Sequence, residues 1–344
     1  MLRLPRFDIA EPRTVREAVQ LLVDHAPDVT LIAGGTDLLP NMKHRLLEPK
    51  LVVALGGIDE LGALRVESDG ALVIGAMNSL DAVAASDDVK RRAPALAEAT
   101  AQISSPQLRR SGTLGGNVML DTRCRWYNQS RFWRKSLGYC LKKDGTVCHV
   151  VPGGRKCVAA ASNDSVPALT TLGARLVFEG QAGRREIPIE ELWKSDGVFN
   201  KHVAPNEILV EVRVPPQHHG HRGAYRKLRD RAAIDFPQLG VAVRLDLAAS
   251  GEVEDADVVL VALQARPIRV KGVADVLSGK KAGTSAFDGG VASVADHAFR
   301  QCHPMANIPG DPDYRRDMVP VLVRQALSAA ARPDAPAIGV RARA

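Results

Sequence analysis

The sequence contains only five cysteines in 344 residues, and it has no run of eighteen apolar residues that could span a bilayer as a helix. Its N-terminus, MLRLPRFDIAEPRTV, carries charges and prolines where a secretory signal peptide needs an apolar stretch. These absences predict a cytoplasmic protein that does not enter a membrane. Thiols stay reduced in the cytoplasm, so neighbouring cysteines indicate a metal site or catalysis before a disulfide.

Several well-defined motifs are also missing. The sequence has no G-x-G-x-x-G dinucleotide fingerprint, no Walker lysine, no C-x2-C zinc knuckle and no cysteine run of the bacterial ferredoxin type. It has no internal repeats. A length of 344 residues allows two or three compact units, and an apolar fraction of 45% supplies cores for them.

The cysteines and the charge are concentrated in one segment. Four of the five cysteines and two of the three tryptophans lie within residues 121–158. The same segment holds nine basic and two acidic residues, a net charge of +7, which equals the net charge of the whole chain. The rest of the chain therefore sums to zero, and the basic character belongs to the cysteine segment.

Periodicity predicts the main secondary-structure elements. An amphipathic helix is expected at 14–26, where Thr14 and Glu17 form a capping box. A hairpin is expected at 64–77 and a helix at 87–103. A strand that ends at paired prolines marks the best domain boundary, and a helix around 317–331 precedes a loose tail.

Two glycine-rich turns lie between apolar segments, AGGTDLL at 33–39 and GTLGGN at 112–117. Glycine permits positive φ and lets backbone N–H groups approach an anion closely, so the pair could clamp a pyrophosphate. Thr36, Thr113 and Asn117 could add side-chain hydrogen bonds. By spacing alone, each turn is more typical of an ordinary connection between strands.

Four segments together resemble a known family: IAGGTDLLPNMK, SPQLRRSGTLGGNVML, ASNDSVPALTTLGARL and YRKLRDRAAIDFPQLGVAV. They stand in the order seen in FAD-binding subunits of the molybdenum hydroxylases, the xanthine dehydrogenase family. The resemblance spans roughly residues 5 to 330 on pattern grounds. It implies an α+β fold of the vanillyl-alcohol-oxidase type, with two α/β FAD subdomains and a C-terminal domain made of a three-stranded sheet and helices.

The implied domains are a first FAD subdomain at 1–58, a second at 59–216 with a cysteine-rich insert at 121–160, a C-terminal domain at 217–332 and a tail at 333–344. The family's flavin loops correspond to two sets of residues here. These are Ile32, Ala33, Gly34, Gly35, Thr36, Asp37 and Leu38 in the first, and Gly112, Thr113, Gly116 and Asn117 in the second. The resemblance places Asp164 at flavin hydroxyls and Lys227 near the isoalloxazine. The alternative for Lys227 is a solvated strand end.

The four clustered cysteines have the spacing C-x15-C-x7-C-x8-C. Four thiolates suit tetrahedral zinc or a [4Fe–4S] cluster, and the third possibility is a set of unconnected buried thiols. The insert resembles that of the β subunit of 4-hydroxybenzoyl-CoA reductase, which implies a [4Fe–4S] cluster. Its ligands would be Cys124, Cys140, Cys148 and Cys157. The fifth, Cys302, is expected to be a small core residue.

The other side chains of the insert allow more than one interpretation. Its basic residues would attract an acidic electron carrier. Its aromatic residues could shield a cluster from water or make a small core for the insert; they are Trp126, Tyr127, Phe132, Trp133 and Tyr139. Nucleic-acid binding is disfavoured, because no recognised nucleic-acid fold accompanies the patch.

The resemblance implies an electron-transfer subunit of a heterotrimeric molybdenum enzyme that dimerises. Electrons would enter from ferredoxin at a [4Fe–4S] cluster, pass to FAD, and continue to a [2Fe–2S] small subunit and a molybdopterin-binding large subunit. The holoenzyme would reduce 4-hydroxybenzoyl-CoA to benzoyl-CoA, and no side chain of this chain need act as an acid or base. Two alternatives remain: an oxidative hydroxylase subunit that passes electrons to NAD or a quinone, and a flavin-binding scaffold with a structural zinc loop.

Overall fold

The computed structural model describes residues 2–332, so the tail at 333–344 lies outside the described residues. Three sheets organise this part of the chain, with three, five and four strands. The architecture is the predicted α+β fold, with two α/β units followed by a sheet-and-helix unit. Within the described residues, no helix is both long enough and apolar enough to cross a membrane.

The first unit is a parallel sheet in the order β1-β3-β2 with helices between the strands. Its elements are β1 (Asp8–Ala10), α1 (Val15–His25), β2 (Val29–Ile32), α2 (Leu38–Lys43) and β3 (Leu51–Ala54).

The predicted first helix is confirmed within a residue at each end. Thr14 Oγ1 accepts a hydrogen bond from the Glu17 N–H at 3.1 Å, which satisfies one of the free donors of the first turn. The Glu17 carboxylate accepts from the Arg13 N–H at 2.8 Å, one residue earlier than an ideal capping box. The buried face includes Val15 and Leu22, as the period predicts.

The second unit contains an antiparallel sheet in the order β4-β5-β8-β6-β7. Its strands are β4 (Leu64–Val66), β5 (Leu72–Gly75), β6 (Arg175–Gly180), β7 (Gly183–Pro188) and β8 (Ile208–Val214). Its helices are α3 (Leu80–Ala85), α4 (Asp87–Arg92), α5 (Pro94–Ala101), α6 (Pro106–Ser111), α7 (Leu114–Val118), α8 (Arg131–Ser136) and α9 (Ser165–Thr171).

Two predictions in this unit have different outcomes. The hairpin is confirmed, since β4 and β5 pair antiparallel around the turn at Gly70. The prediction of a single helix at 87–103 is wrong, because the helix is interrupted at Ala93 and Pro94 and forms α4 and α5 instead. Proline lacks the N–H that a continuous helix needs and disfavours helical backbone in the residue before it.

The C-terminal unit is an antiparallel sheet in the order β12-β11-β10-β9, covered by long helices. Its elements are β9 (His221–Leu228), β10 (Leu239–Leu247), β11 (Val253–Val261), β12 (Ile268–Arg269), α10 (Val273–Leu277), α11 (Ser285–Gln301) and α12 (Pro312–Ala330). The predicted sheet of three strands has four, because the two-residue β12 pairs with β11 at the edge. Helix α12 begins earlier than predicted, because Asp311 caps it by accepting from the Tyr314 N–H at 2.9 Å.

The second and C-terminal units share an interface that fixes the candidate site. Tyr225 of β9 and Ala242 of β10 are buried in the core of the second unit, whereas their neighbour Val243 faces the C-terminal core. The Glu98 carboxylate of α5 accepts the Tyr225 N–H at 2.6 Å. These contacts hold β9 against the helices of the second unit.

Candidate functional site

The two glycine-rich loops lie against each other. A Cβ added at Gly34 would lie 1.7 Å from the Ser111 carbonyl oxygen, so only glycine permits this approach. A Cβ at Gly112 would lie 3.4 Å from Thr36 Oγ1, and Gly35 has a φ of +71°. The structure therefore brings the predicted loops together, although they are far apart in sequence.

The second loop is not an open turn but contains the short helix α7. Thr113 Oγ1 caps it by accepting from the Gly116 N–H at 3.0 Å. Asn117 Oδ1 accepts from the Ser165 N–H at 3.0 Å and the Ser165 hydroxyl at 2.6 Å. The acceptor oxygens of these two side chains are therefore used within the protein, which leaves the Thr113 O–H and the Asn117 NH2 as donors toward a ligand.

Asp164 and Lys227 form a buried ion pair. Lys227 Nζ lies 3.0 Å from Asp164 Oδ1, and the Lys227 side chain is fully buried. The Tyr225 hydroxyl donates to the same Asp164 oxygen at 2.7 Å. Burial raises the pKa of Asp164, while the Lys227 charge and the two hydrogen bonds lower it. The interpretation of Lys227 as a solvated strand end is wrong, because β9 directs its side chain into the interface.

Two buried polar atoms beside this pair are without partners. Within the described residues, Ser162 Oγ and Asn163 Oδ1 have no hydrogen-bond partner. The Asn163 amide donates to the Asn117 carbonyl at 2.7 Å and the Val118 carbonyl at 3.0 Å, so this segment adjoins the second loop. Buried polar groups normally find a partner, and the hydroxyls or phosphates of a flavin nucleotide would supply one. The residues present therefore fit FAD.

Tyr225 was missed by the sequence analysis, yet a signal for it exists. It lies two residues before Lys227 on a strand, so both side chains point to the same face. Burial raises the pKa of its hydroxyl well above the usual value, with Asp164 adding to the effect. Tyr225 therefore stays protonated and acts as a hydrogen-bond donor to Asp164.

The four clustered cysteines line one cavity in the insert; they are Cys124, Cys140, Cys148 and Cys157. All are free thiols. Backbone N–H groups approach three of the sulfurs: Trp126 and Tyr127 at Cys124, Val151 at Cys148 and Ala159 at Cys157. The four thiols share one cavity, and hydrogen bonds to sulfur are typical of thiolate metal sites.

Two thiols of the cavity, Cys124 and Cys157, are shifted toward the protonated form. Burial raises the pKa of Cys124 to about 11, and it also raises the pKa of Cys157, where Lys142 opposes the shift. A metal must therefore displace their protons to bind. No three His, Cys, Asp or Glu side chains within residues 2–332 are arranged to hold a metal ion. The thiols surround the cavity without converging on a centre, while their chemistry suits zinc or an iron–sulfur cluster.

The basic residues of the insert divide into buried and exposed groups. Lys142 is buried, with Nζ 2.6 Å from Thr122 Oγ1, 2.8 Å from the Gly197 carbonyl and 3.0 Å from the Asp121 carboxylate. The exposed members could still meet an acidic carrier; they are Arg125, Arg131, Lys135, Arg155 and Lys156.

The aromatic residues divide in the same way. Trp126 and Tyr127 line the cavity, and Trp126 contacts Trp133 at a centroid distance of 5.8 Å. Phe132 is 84% exposed and contributes to neither a small core nor the shielding. Cys302 is fully buried in the C-terminal core, as predicted, and burial raises its pKa to about 12.

Comparison with known proteins covers nearly the whole chain. A family model described as the FAD binding domain in molybdopterin dehydrogenase matches residues 5–217. A second, described as the CO dehydrogenase flavoprotein C-terminal domain, matches residues 223–330.

Individual relatives agree with these matches. The carbon monoxide dehydrogenase medium chain of Hydrogenophaga pseudoflava is 32% identical over 326 residues, which are 95% of this chain and 97% of that protein. The aldehyde oxidoreductase FAD-binding subunit of Escherichia coli is 29% identical over 309 residues, 87% and 92% of the two chains. A solved carbon monoxide dehydrogenase structure from H. pseudoflava aligns with a TM-score of 0.77 at 30% identity and covers 95% and 98%. The chain therefore belongs to the FAD-binding subunits of the molybdenum hydroxylase family.

Proposed function

We propose that the chain is the electron-transfer subunit of a molybdenum enzyme and holds both FAD and a [4Fe–4S] cluster. The observation that carries the proposal is the single cavity lined by four thiols. Leu46, which follows α2, packs in one small apolar cluster with Cys124, Tyr127 and Cys140. The residues that line the thiol cavity thus contact the chain just after α2, the helix that follows the first flavin loop.

FAD would be held between the two loops and the Asp164 segment. Residues 32–38 would offer backbone N–H groups to the pyrophosphate, whereas the N–H groups of residues 114–117 in α7 are already bonded within the protein. Ser162, Asn163 and Asp164 would meet flavin hydroxyls, and Lys227 orients Asp164 and opposes the rise in its pKa that burial causes. No side chain in this arrangement needs to donate or remove a proton during a reaction.

The proposed cluster ligands are the four cysteines of the cavity. An iron–sulfur cluster supplies one-electron transfer next to a flavin, which zinc cannot do. The backbone N–H groups aimed at the sulfurs and the buried Lys142 charge would stabilise the negative charge of four thiolates. The aromatic residues that line the cavity would limit the access of water.

The proposed partners are a [2Fe–2S] small subunit and a molybdopterin-binding large subunit, with ferredoxin as the electron donor in the cytoplasm. Relatives named as medium chains and as lettered subunits of dehydrogenases support a multi-subunit enzyme. The proposed reaction of the holoenzyme is the reductive removal of the phenolic hydroxyl from 4-hydroxybenzoyl-CoA. The resemblance of the insert supports this substrate.

An oxidative hydroxylase subunit that passes electrons to NAD or a quinone is the second candidate. The names of the relatives favour it, because they include dehydrogenases of carbon monoxide, caffeine and glyceraldehyde. Reduction of the flavin by NADH would support this candidate, and reduction by ferredoxin alone would support the reductive one. A scaffold with a structural zinc loop is the third, since four thiolates also suit zinc.

Metal and sulfide analysis of the anaerobically purified chain tests the proposal, together with an EPR spectrum after dithionite reduction. Four irons and four sulfides per chain with a reduced-cluster signal are expected. Zinc without sulfide would overturn the cluster and show that the insert is a structural zinc loop. The chain would then be a flavoprotein of this family for which the direction of electron flow is not determined.

A further inference from the structure

Helix α2 lies between the first flavin loop and the cysteine-rich insert. The loop, residues 32–38, ends on the first residue of the helix. With only six residues, α2 is too short to be stable without tertiary contacts. The insert supplies such contacts at both ends of the helix.

At the N-terminal end of α2, Arg123 binds Asp37. Arg123 Nη1 donates to Asp37 Oδ1 at 2.9 Å across 86 residues of sequence. The other carboxylate oxygen of Asp37 accepts from Asn41 Nδ2 of α2 at 2.8 Å. The Arg123 guanidinium also lies 3.8 Å from the centroid of the Phe236 ring, which belongs to the C-terminal unit. Arg123 is therefore fixed on two sides and holds the end of the flavin loop.

Just after the C-terminal end of α2, Arg134 binds two backbone carbonyls. Its side chain is 2% exposed, and Nη2 donates to the His44 carbonyl at 3.3 Å and the Arg45 carbonyl at 3.0 Å. Arg134 belongs to α8 of the insert, so the insert contacts α2 at its beginning and its end.

Arg123 also closes the neck of the insert. Its N–H donates to the Ala160 carbonyl and its carbonyl accepts the Ala160 N–H, both at 2.8 Å. The next residue, Cys124, lines the thiol cavity. The Asp37 carboxylate is thus connected to the cavity by one side chain and one peptide bond.

We propose that Arg123 is a positioning residue that couples occupancy of the flavin site to the conformation of the cysteine-rich insert. A ligand that orders residues 32–38 also orders Asp37, and through Arg123 it stabilises the neck of the insert. The coupling is reciprocal, because two sites that share one element bias the same equilibrium. The inference rests on the FAD site of the proposed function and is independent of which metal the insert binds.

Hydrogen exchange of the full-length chain, measured by mass spectrometry with and without FAD, tests the coupling. The variants are Arg123→Gln and Arg123→Lys. Arg131→Gln is the matched control, since Arg131 lies in the insert, is 63% exposed and approaches only Glu48 among the described carboxylates, at 3.9 Å. Exchange in residues 121–160 reports on the insert, and exchange in residues 111–118 reports on flavin binding at the second loop.

In the wild type and the control, FAD is expected to slow exchange in both segments. In Arg123→Gln, the slowing at 111–118 persists, while that at 121–160 falls by about fivefold or more. Arg123→Lys recovers part of the slowing at 121–160, because lysine keeps the positive charge but lacks the planar guanidinium that stacks on Phe236. If Arg123→Gln binds no FAD, the lysine variant makes the same comparison.

The coupling would be overturned if FAD slowed exchange in residues 121–160 as much in Arg123→Gln as in the wild type. It would also be overturned if FAD did not change exchange in these residues of the wild type. A wild-type chain that binds no FAD would instead overturn the proposed function, and this inference with it. A chain without iron would overturn only the proposed cluster and not the coupling, because amide exchange does not depend on electron transfer.

Discussion

The flavin site and the cysteine-rich insert handle buried charge in different ways. In the flavin site, Asp164 is paired with Lys227, so the buried charges cancel. In and beside the insert, buried cations rest on neutral acceptors and on carboxylates that are about half exposed, Asp121 beside Lys142 and Asp144 beside Arg134. Arg134 donates to two backbone carbonyls, and Lys201 donates to the Leu120 carbonyl and to Asn200 Oδ1.

The difference agrees with the location of the net charge of +7 in the segment that carries the four cysteines. A site whose own charges cancel needs no further charge from a ligand. A site with excess positive charge is suited to added negative charge, and four thiolates would provide it.

Removing the buried cation of the flavin site should have the largest effect. Lys227→Met leaves Asp164 buried without its partner and should lower the free energy of unfolding by about 4 kcal/mol. Urea denaturation measures it. Adding Asp164→Asn should recover part of the loss, because no uncompensated charge then remains. Lys50→Met is the matched control: it removes an exposed pair with Asp28, and no measurable change is expected. A loss in the control equal to that of Lys227→Met would contradict the contrast.

The second-largest effect is expected from separating the two flavin loops. Gly34→Ala places a Cβ against the Ser111 carbonyl, and the loops must move apart at a cost of about 3 kcal/mol. Bound flavin, measured by absorbance of the purified chain, should be lost. Gly62→Ala is the control, since nothing lies within 4 Å of its added Cβ. Retention of flavin by Gly34→Ala would show that the close contact of the loops is not required.

The unpaired cation near the insert predicts a dependence of stability on pH. Burial lowers the pKa of Lys201 to about 8 from 10.5. Between these values the unfolded chain binds more protons than the folded chain, so the free energy of unfolding should rise with pH. The contribution of Lys201 over this window is about 3 kcal/mol. Lys201→Met should flatten the rise in denaturation curves between pH 8 and 10, and an unchanged slope would mean that Lys201 is not the group responsible.

Removing one thiol should affect the insert while flavin remains bound. Cys140→Ser should abolish the metal content of the purified chain, but saturating FAD should still bind, because the flavin loops lie outside the insert. Cys302→Ala is the control, since Cys302 lies in the C-terminal core, and it should keep the metal. Equal loss of FAD and metal in Cys140→Ser would contradict two separable sites.

The sequence predicted the elements whose signals are local. Helix α1 follows from its apolar period and Thr14, and the first hairpin follows from Asp69-Gly70 between alternating residues. The same local reasoning failed at Pro94, where one proline outweighed a helical pattern, and at the second flavin loop, where Thr113 caps a helix. Short glycine-rich helices have too few apolar positions to show a period.

Whether the role of a side chain could be predicted depended on how far along the chain its partner lies. Asp164 and Lys227 were singled out separately by resemblance, but their pairing across 63 residues was not predicted. Arg123 and Arg134 were counted only as part of a basic patch, yet both are directed inward to α2. Composition cannot distinguish a buried arginine from an exposed one.

Residue type and spacing are enough to fix the clustering of four thiols, the local excess of positive charge and the order of the flavin motifs. Folding is needed to bring the four thiols into one cavity, the two glycine loops into contact and the insert to both ends of α2. These features depend on contacts between segments distant in the chain. Their geometry is fixed by the packing of whole elements, and no local pattern encodes it.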